Sequence, residues 1–115
     1  MSLYESWIKK AVSKDGKANE EVWDQYLPLE QKIYEEILSN KITKIEGKVS
    51  ELSEKYNMTP EHIVAFIDGL NETLPTPFEV DTLTEDSFVE INIDFEKLFK
   101  KMIEYKAEHL YTLPQ

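Results

Sequence analysis

The segment Val49–Leu70, VSELSEKYNMTPEHIVAFIDGL, decides the fold of this chain, because it holds two short helices and the turn that joins them. Leu52, Tyr56, Met58, Ile63 and Phe66 fall where two helices crossing steeply need apolar contacts, and Ser53 is small where they approach most closely. Asn57 suits the left-handed conformation that ends the first helix. Thr59, Pro60 and Glu61 then provide a hydroxyl cap, a first-turn proline whose missing donor is harmless, and an acid at the positive end of the dipole. The pattern is that of a helix-turn-helix.

Its charge has the wrong sign for the function usually attached to that pattern. From Tyr56 to Glu96 there is no lysine, and the ten acids there equal the formal net charge of -10, so the remaining 13 acids match the 13 lysines. Affinity for duplex DNA comes largely from Lys and Arg contacts to phosphates, and this chain has no arginine to read guanine. The acidic second helix therefore weighs against a nucleic-acid partner. Lysines 41, 44, 48 and 55, which precede it, and those of the last helix carry the alternative reading, a dimeric nucleic-acid-binding regulator.

At 115 residues the chain is long enough for one domain with its own core. It has no cysteine, which excludes disulfides, thiolate nucleophiles and thiolate metal ligands together. The opening MSLYESWIKKAV lacks the apolar core of a secretory leader, and the longest apolar run, Ile63–Ile67, has five residues. A cytoplasmic protein without membrane association is the expectation.

Outward from the central segment, Leu3, Trp7, Ile8, Ala11 and Val12 predict a helix over 3–14 that Asp15-Gly16-Lys17 ends. Asn19 is placed to cap a second helix with Val22, Trp23, Tyr26 and Leu27 on its buried face, and Pro28 predicts a break or a kink after Tyr26 or Leu27. The period resumes at Leu29 and runs through Ile33, Tyr34, Ile37, Leu38, Ile42 and Ile45, predicting a long helix that stops near Gly47. After Leu74 the sequence PTPF cannot continue a helix. Phe88–Ile93 alternates and is a candidate strand, with Phe78–Val80 as its candidate hairpin partner, in the place of the wing of winged-helix domains. Asp94 caps a last helix with Phe95, Leu98, Phe99, Met102, Ile103, Lys106, His109 and Leu110 on one stripe. The fold class is mainly α: a single domain, 1–115, of five to six helices. Its helix-turn-helix-like segment is 48–73, an acidic loop or hairpin occupies 75–93, and the C-terminal helix is 94–111.

The blocks MSLYESW (Met1 to Trp7), VWDQYLP (Val22 to Pro28), ELSEKYNMTPEHIVAFIDGL (Glu51 to Leu70) and DFEKLFKKMIEYKAEHLYTLP (Asp94 to Pro114) resemble a family of small, acidic bacterial proteins with no established activity. The resemblance covers nearly the whole chain and implies a soluble, intracellular, mainly helical protein. Members run on past the counterpart of Pro114, so it also implies that this chain is a shortened version.

Little in the sequence points to catalysis. Glycines 16, 47 and 69 are isolated, so no phosphate-cradling loop exists, and no serine stands in a nucleophile elbow. His109 lies near Glu104 and Glu108, but the helical Glu and His spacing of di-iron bundles is absent, so no metal and no cofactor is expected. Trp7, Trp23, Tyr26, Tyr34, Phe95 and Phe99 have the spacing of core residues, with a ligand pocket between helices as the sharper reading. The carboxylates cluster in segments that look solvated, which is the wrong setting for acid-base pairs. The expectation is therefore a non-enzymatic protein-protein interaction module. Its candidate surface is Glu61, His62, Asp68 and Glu72 with the loop acids, and its partner is a protein with a basic or mixed-charge surface. A strand without an internal partner finds one in another copy, so a homodimer is compatible with this reading.

Overall fold

The computed structural model describes the backbone of residues 2–112 and the side chains of residues 2–104. Among them are five α-helices, one 3₁₀ turn and one two-stranded antiparallel sheet. The fold is mainly α.

Helix α1, Leu3–Ala11, begins where Ser2 accepts from the Glu5 amide at 3.1 Å. It ends three residues short of the expected 14, because Val12 turns extended and pairs with Ala18. The Ser13 amide bonds the Lys17 carbonyl at 2.8 Å around Gly16, whose φ is +81°. The freed Ala11 carbonyl accepts from the Asn19 amide at 2.8 Å and from Trp23 Nε1 at 3.0 Å, so the helix end is satisfied by the start of the next element.

Helix α2, Glu20–Ser39, runs through Pro28, so of the two expected outcomes the break does not occur. Pro28 is exposed, and the carbonyl it leaves without a helical donor belongs to Asp24, also exposed, so the lost bond falls on the solvent side of the helix rather than in the core. The expected continuation to Gly47 is also corrected. Lys41 adopts a left-handed φ of 53°, and the Ile42 amide folds back onto the Ile37 carbonyl at 3.0 Å, which closes the helix. Ile42 and Ile45 are three residues apart, a spacing that shares a face only in a helix, and with the helix closed at Lys41 the two pack against the core separately. Ile45 points inward from strand β1, Lys44–Lys48.

Helices α3, Val49–Tyr56, and α4, Pro60–Leu70, form the central pair. Glu51 Oε1 accepts from the Lys48 amide at 2.9 Å at the start of α3, and Asn57 ends it with φ 54° and ψ 47°. The Ser53 hydroxyl donates to the Met58 carbonyl and fixes the turn. Thr59 Oγ1 accepts from the His62 amide at 3.2 Å, with Pro60 in the first turn of α4, as the sequence predicts. Ile63, Val64, Ala65, Phe66, Ile67 and Leu70 are all buried, so α4 is packed on several sides at once. That makes it the centre of the core rather than a surface helix.

A 3₁₀ turn, Asn71–Thr73, leads into the loop. Strand β2, Phe88–Asn92, forms as predicted, but its partner is β1, in the register Lys44 to Asn92 and Lys48 to Phe88. Phe78–Val80 is not that partner. The Asn71 carboxamide holds Phe78 instead, accepting from its amide at 2.7 Å and donating to its carbonyl at 2.8 Å, the two bonds a neighbouring strand would make. The acidic loop docks on α3, where the Val49 and Ser50 amides bond the carbonyls of Ser87 and Glu85, each at 3.0 Å. Asp94 Oδ1 accepts from the Lys97 amide at 3.1 Å and starts α5, Phe95–Thr112. One contiguous core joins every helix to both strands.

Candidate functional site

On α4, Glu61, His62, Ala65, Asp68 and Gly69 share one side, with Glu72 a turn further on, because residues three and four apart stack along a helix. Helix α1 covers the first turn of that side. Lys10 Nζ stands 3.0 Å from Glu61 Oε1 and 2.9 Å from Oε2, a hydrogen bond to the first oxygen and a charge contact alone to the second. The His62 ring packs edge-on against Trp7 with centroids 5.6 Å apart, and against Tyr26 at 5.5 Å. Burial in that aromatic nest lowers the imidazole pKa from its ordinary value; Glu61 opposes the shift and Lys10 adds to it. Two of the four expected surface residues are thus engaged within the fold.

Asp68 and Glu72 lie at the mouth of a cleft of about 330 Å³ between α1, α2, α4 and α5. Its walls are Trp7, Trp23, Tyr26 and Leu27, and its floor includes Glu30, Gln31 and Gly69. Burial raises the Asp68 pKa, and the neighbouring Glu72 charge raises it further against the pull of Lys101. Glu72 pairs with Lys101 Nζ at 3.1 Å while its side chain stays 72% exposed, so the pair is largely solvated.

Beneath the cleft, Glu30 is 6% exposed and accepts from the Tyr26 hydroxyl at 2.5 Å. Tyr34 Oη faces the same carboxylate closely enough to feel its charge, yet makes no hydrogen bond of ordinary geometry. Burial pushes the Glu30 pKa up, with Tyr26, Lys101 and Tyr34 offsetting part of the shift. The two phenols are driven up by burial first and by the Glu30 charge second. Lys101 Nζ donates to the Gly69 carbonyl at 2.5 Å. Gly69 permits all of this, since a Cβ there would lie 3.1 Å from Tyr34 Oη and 3.3 Å from both Glu30 Oε2 and Lys101 Nζ. The arrangement ties α2, α4 and α5 through polar atoms at the core's edge.

Of the aromatic residues the sequence reads as core or as pocket lining, the structure brings Trp7, Trp23 and Tyr26 to one cleft, whereas Tyr34 is core and Phe99 is 52% exposed on α5. The sequence reading misses Glu30, Gln31, Gly69 and Lys101, which line the same cleft. The signal for Glu30 was its place four residues from both Tyr26 and Tyr34 on the apolar stripe of α2. Among the described residues no group of three or more His, Asp or Glu side chains is placed to hold a metal ion. His109, Glu108, Tyr105, Lys106, Leu110 and Tyr111 lie outside the described side chains. No helix among the described residues is long and apolar enough to cross a membrane.

The acids of the loop and of β2 are disposed differently from those of α4. Glu79, Asp81, Glu85, Asp86 and Glu96 are exposed, and among the described residues no lysine stands within ion-pair distance of them. Glu90 pairs with Lys44 at 3.2 Å. Comparison with protein-family models, with curated proteins and with solved structures finds no match.

Proposed function

We propose that this protein is a non-enzymatic interaction module that receives a partner protein with a basic or mixed-charge surface. The observation that carries this reading is the set of exposed acids Glu79, Asp81, Glu85, Asp86 and Glu96, none of them within ion-pair distance of a lysine among the described residues, with Asp81 close enough to Asp68 to act on its charge. Such a one-sided field speeds encounter with positive partners and repels anionic ones. Within the proposed surface, the contact zone moves toward the loop and β2, because Glu61 is held by Lys10 and His62 is packed between aromatic rings. A nucleic-acid role draws little support from this layout, since the helix a groove would receive lies beneath α1 and is buried along most of its length.

The test is affinity capture from cell lysate at low salt, with and without nuclease. Wild-type protein is compared with a variant carrying Asp81→Lys, Glu85→Lys and Asp86→Lys. Proteins retained by the wild type after nuclease and lost by the variant support the module. Equal capture by both sinks the acidic-face idea, and capture that nuclease abolishes favours nucleic acid.

A further inference from the structure

We propose that the free edge of β2 takes up an extended segment of a basic partner as an added strand, with lysine or arginine at alternate positions. The inference rests on the acidic-face reading and supplies its mode of contact.

The edge follows from the register. The Ile93 amide bonds the Thr43 carbonyl and the Val49 amide bonds the Ser87 carbonyl, at 2.9 and 3.0 Å, so the odd-numbered residues of β2 point their backbone groups at β1. The amides and carbonyls of Phe88, Glu90 and Asn92 therefore point the other way. Among the described residues nothing bonds them. The segment that could have covered them is withheld, because Asn71 occupies both backbone groups of Phe78. Between that tethered segment and β2 runs a groove of about 510 Å³, lined by Leu74, Pro75 and Phe78 on one wall and by Glu90 to Asp94 on the other. Its volume lies in the range of clefts that hold ligands.

Pleating then dictates what fits. Residues directly opposite one another in an antiparallel pair share a face. A residue bonded to Glu90 projects onto the exposed face beside that carboxylate, which Lys44 reaches from β1 at 3.2 Å, and beside Phe88, which is 60% exposed, so a side chain with an aliphatic stem and a cationic end suits it. The residues between project inward beside Val89 and Ile91, which are buried, and toward Leu74 and Phe78, where aliphatic side chains suit. Strand addition of this kind draws affinity from main-chain bonds and specificity from alternate side chains. A second copy of this chain is a poor occupant. Pairing β2 with itself about its centre sets Glu90 against Glu90 and brings together two molecules of net charge -10.

The probe is a capped heptapeptide alternating lysine and valine, titrated calorimetrically into the full chain at low salt. Two further versions carry N-methyl groups on the lysine amides or on the valine amides. Saturable binding weakened about tenfold or more by lysine-amide methylation and unchanged by valine-amide methylation is the expected result, since only the lysine amides face β2. Asn92→Pro removes one outward amide while leaving the bonds to β1 intact, and should weaken the unmethylated peptide in the same way. Equal binding of all three peptides overturns strand addition and leaves the acidic-face reading standing; binding by none overturns both. A dimer in sedimentation that Asn92→Pro dissociates overturns the basic partner in favour of a second copy. The methylated peptides leave the protein untouched, so the comparison holds even where the proline variant folds poorly.

Discussion

At Gly69 three helices meet through polar atoms that would lie 3.1 to 3.3 Å from any added Cβ. Alanine would add about 1 kcal/mol of helix propensity there. Its Cβ, however, would press on Tyr34 Oη at 3.1 Å and Glu30 Oε2 at 3.3 Å, and both residues are buried and packed; only Lys101 can swing away. Overpacking of this kind costs about 1–3 kcal/mol, so Gly69→Ala should give a net loss of about 1 kcal/mol in urea unfolding. A gain would mean that the Tyr34 and Glu30 contacts yield easily. Glu30 itself supplies a pH test. Its folded pKa is raised, so its contribution to stability is fully present below the unfolded carboxylate value and is lost as pH rises through the folded one. Asp68, also raised, acts in the same direction, while His62, lowered, contributes fully above the unfolded imidazole value and loses that contribution as pH falls. The difference in unfolding free energy between Glu30→Gln and wild type should therefore move in favour of the glutamine variant as pH is raised from about 4 to about 7. A difference constant across that range would show that burial does not govern this carboxyl. Nothing in the composition marks Gly69 as special; its role appears only when α2 and α5 are brought against it.

At the scale of elements, most capping and turn chemistry was legible and pairing was not; Asn19 stands at the start of α2 as expected, but its side chain makes no capping bond. Asn57, Thr59-Pro60 and Asp94 act locally, through backbone groups within three residues, and each does what its type predicts. The end of α2 and the partner of β2 depend on chain segments far apart in sequence, so local pattern could not choose between them. Asn71 shows the cause: one carboxamide takes both backbone groups of Phe78 and removes the expected hairpin. Asn71→Ala should cost about 1–3 kcal/mol by leaving those groups unpaired, and should speed hydrogen exchange at the Phe78 amide. Unchanged exchange there would show that the segment is held by other contacts. In α2, Pro28→Ala restores an amide to the Asp24 carbonyl and should raise stability by about 1–3 kcal/mol, read as a higher melting temperature. No rise would mean that the helix backbone has already relaxed around the ring.

For the molecule as a whole, the confined acidity sets a cost that salt relieves. The acids of residues 79–96 repel one another across an exposed loop and strand, and among the described residues only Lys44 pairs with one of them, bridging Glu46 at 3.8 Å and Glu90 at 3.2 Å where those two acids face each other across the sheet. Raising sodium chloride from about 0.02 to about 0.5 M should therefore raise the melting temperature, because screening weakens repulsion between exposed charges. A fall would show that the ion pairs Lys10–Glu61 and Lys101–Glu72 outweigh it. The sequence by itself determined the helical class, the central helix pair with its caps, the last helix and the regional charge, since each follows from local periodicity, turn chemistry or counting. Only the tertiary structure decided that β1 replaces the end of a helix and pairs with β2, that α1 lies over Glu61 and His62, and that Glu30, Gly69 and Lys101 meet below a cleft. Those outcomes depend on contacts between segments tens of residues apart, where the helical spacing of Ile42 and Ile45 is overridden by the closure of α2 at Lys41 and by the pairing of β1 with β2.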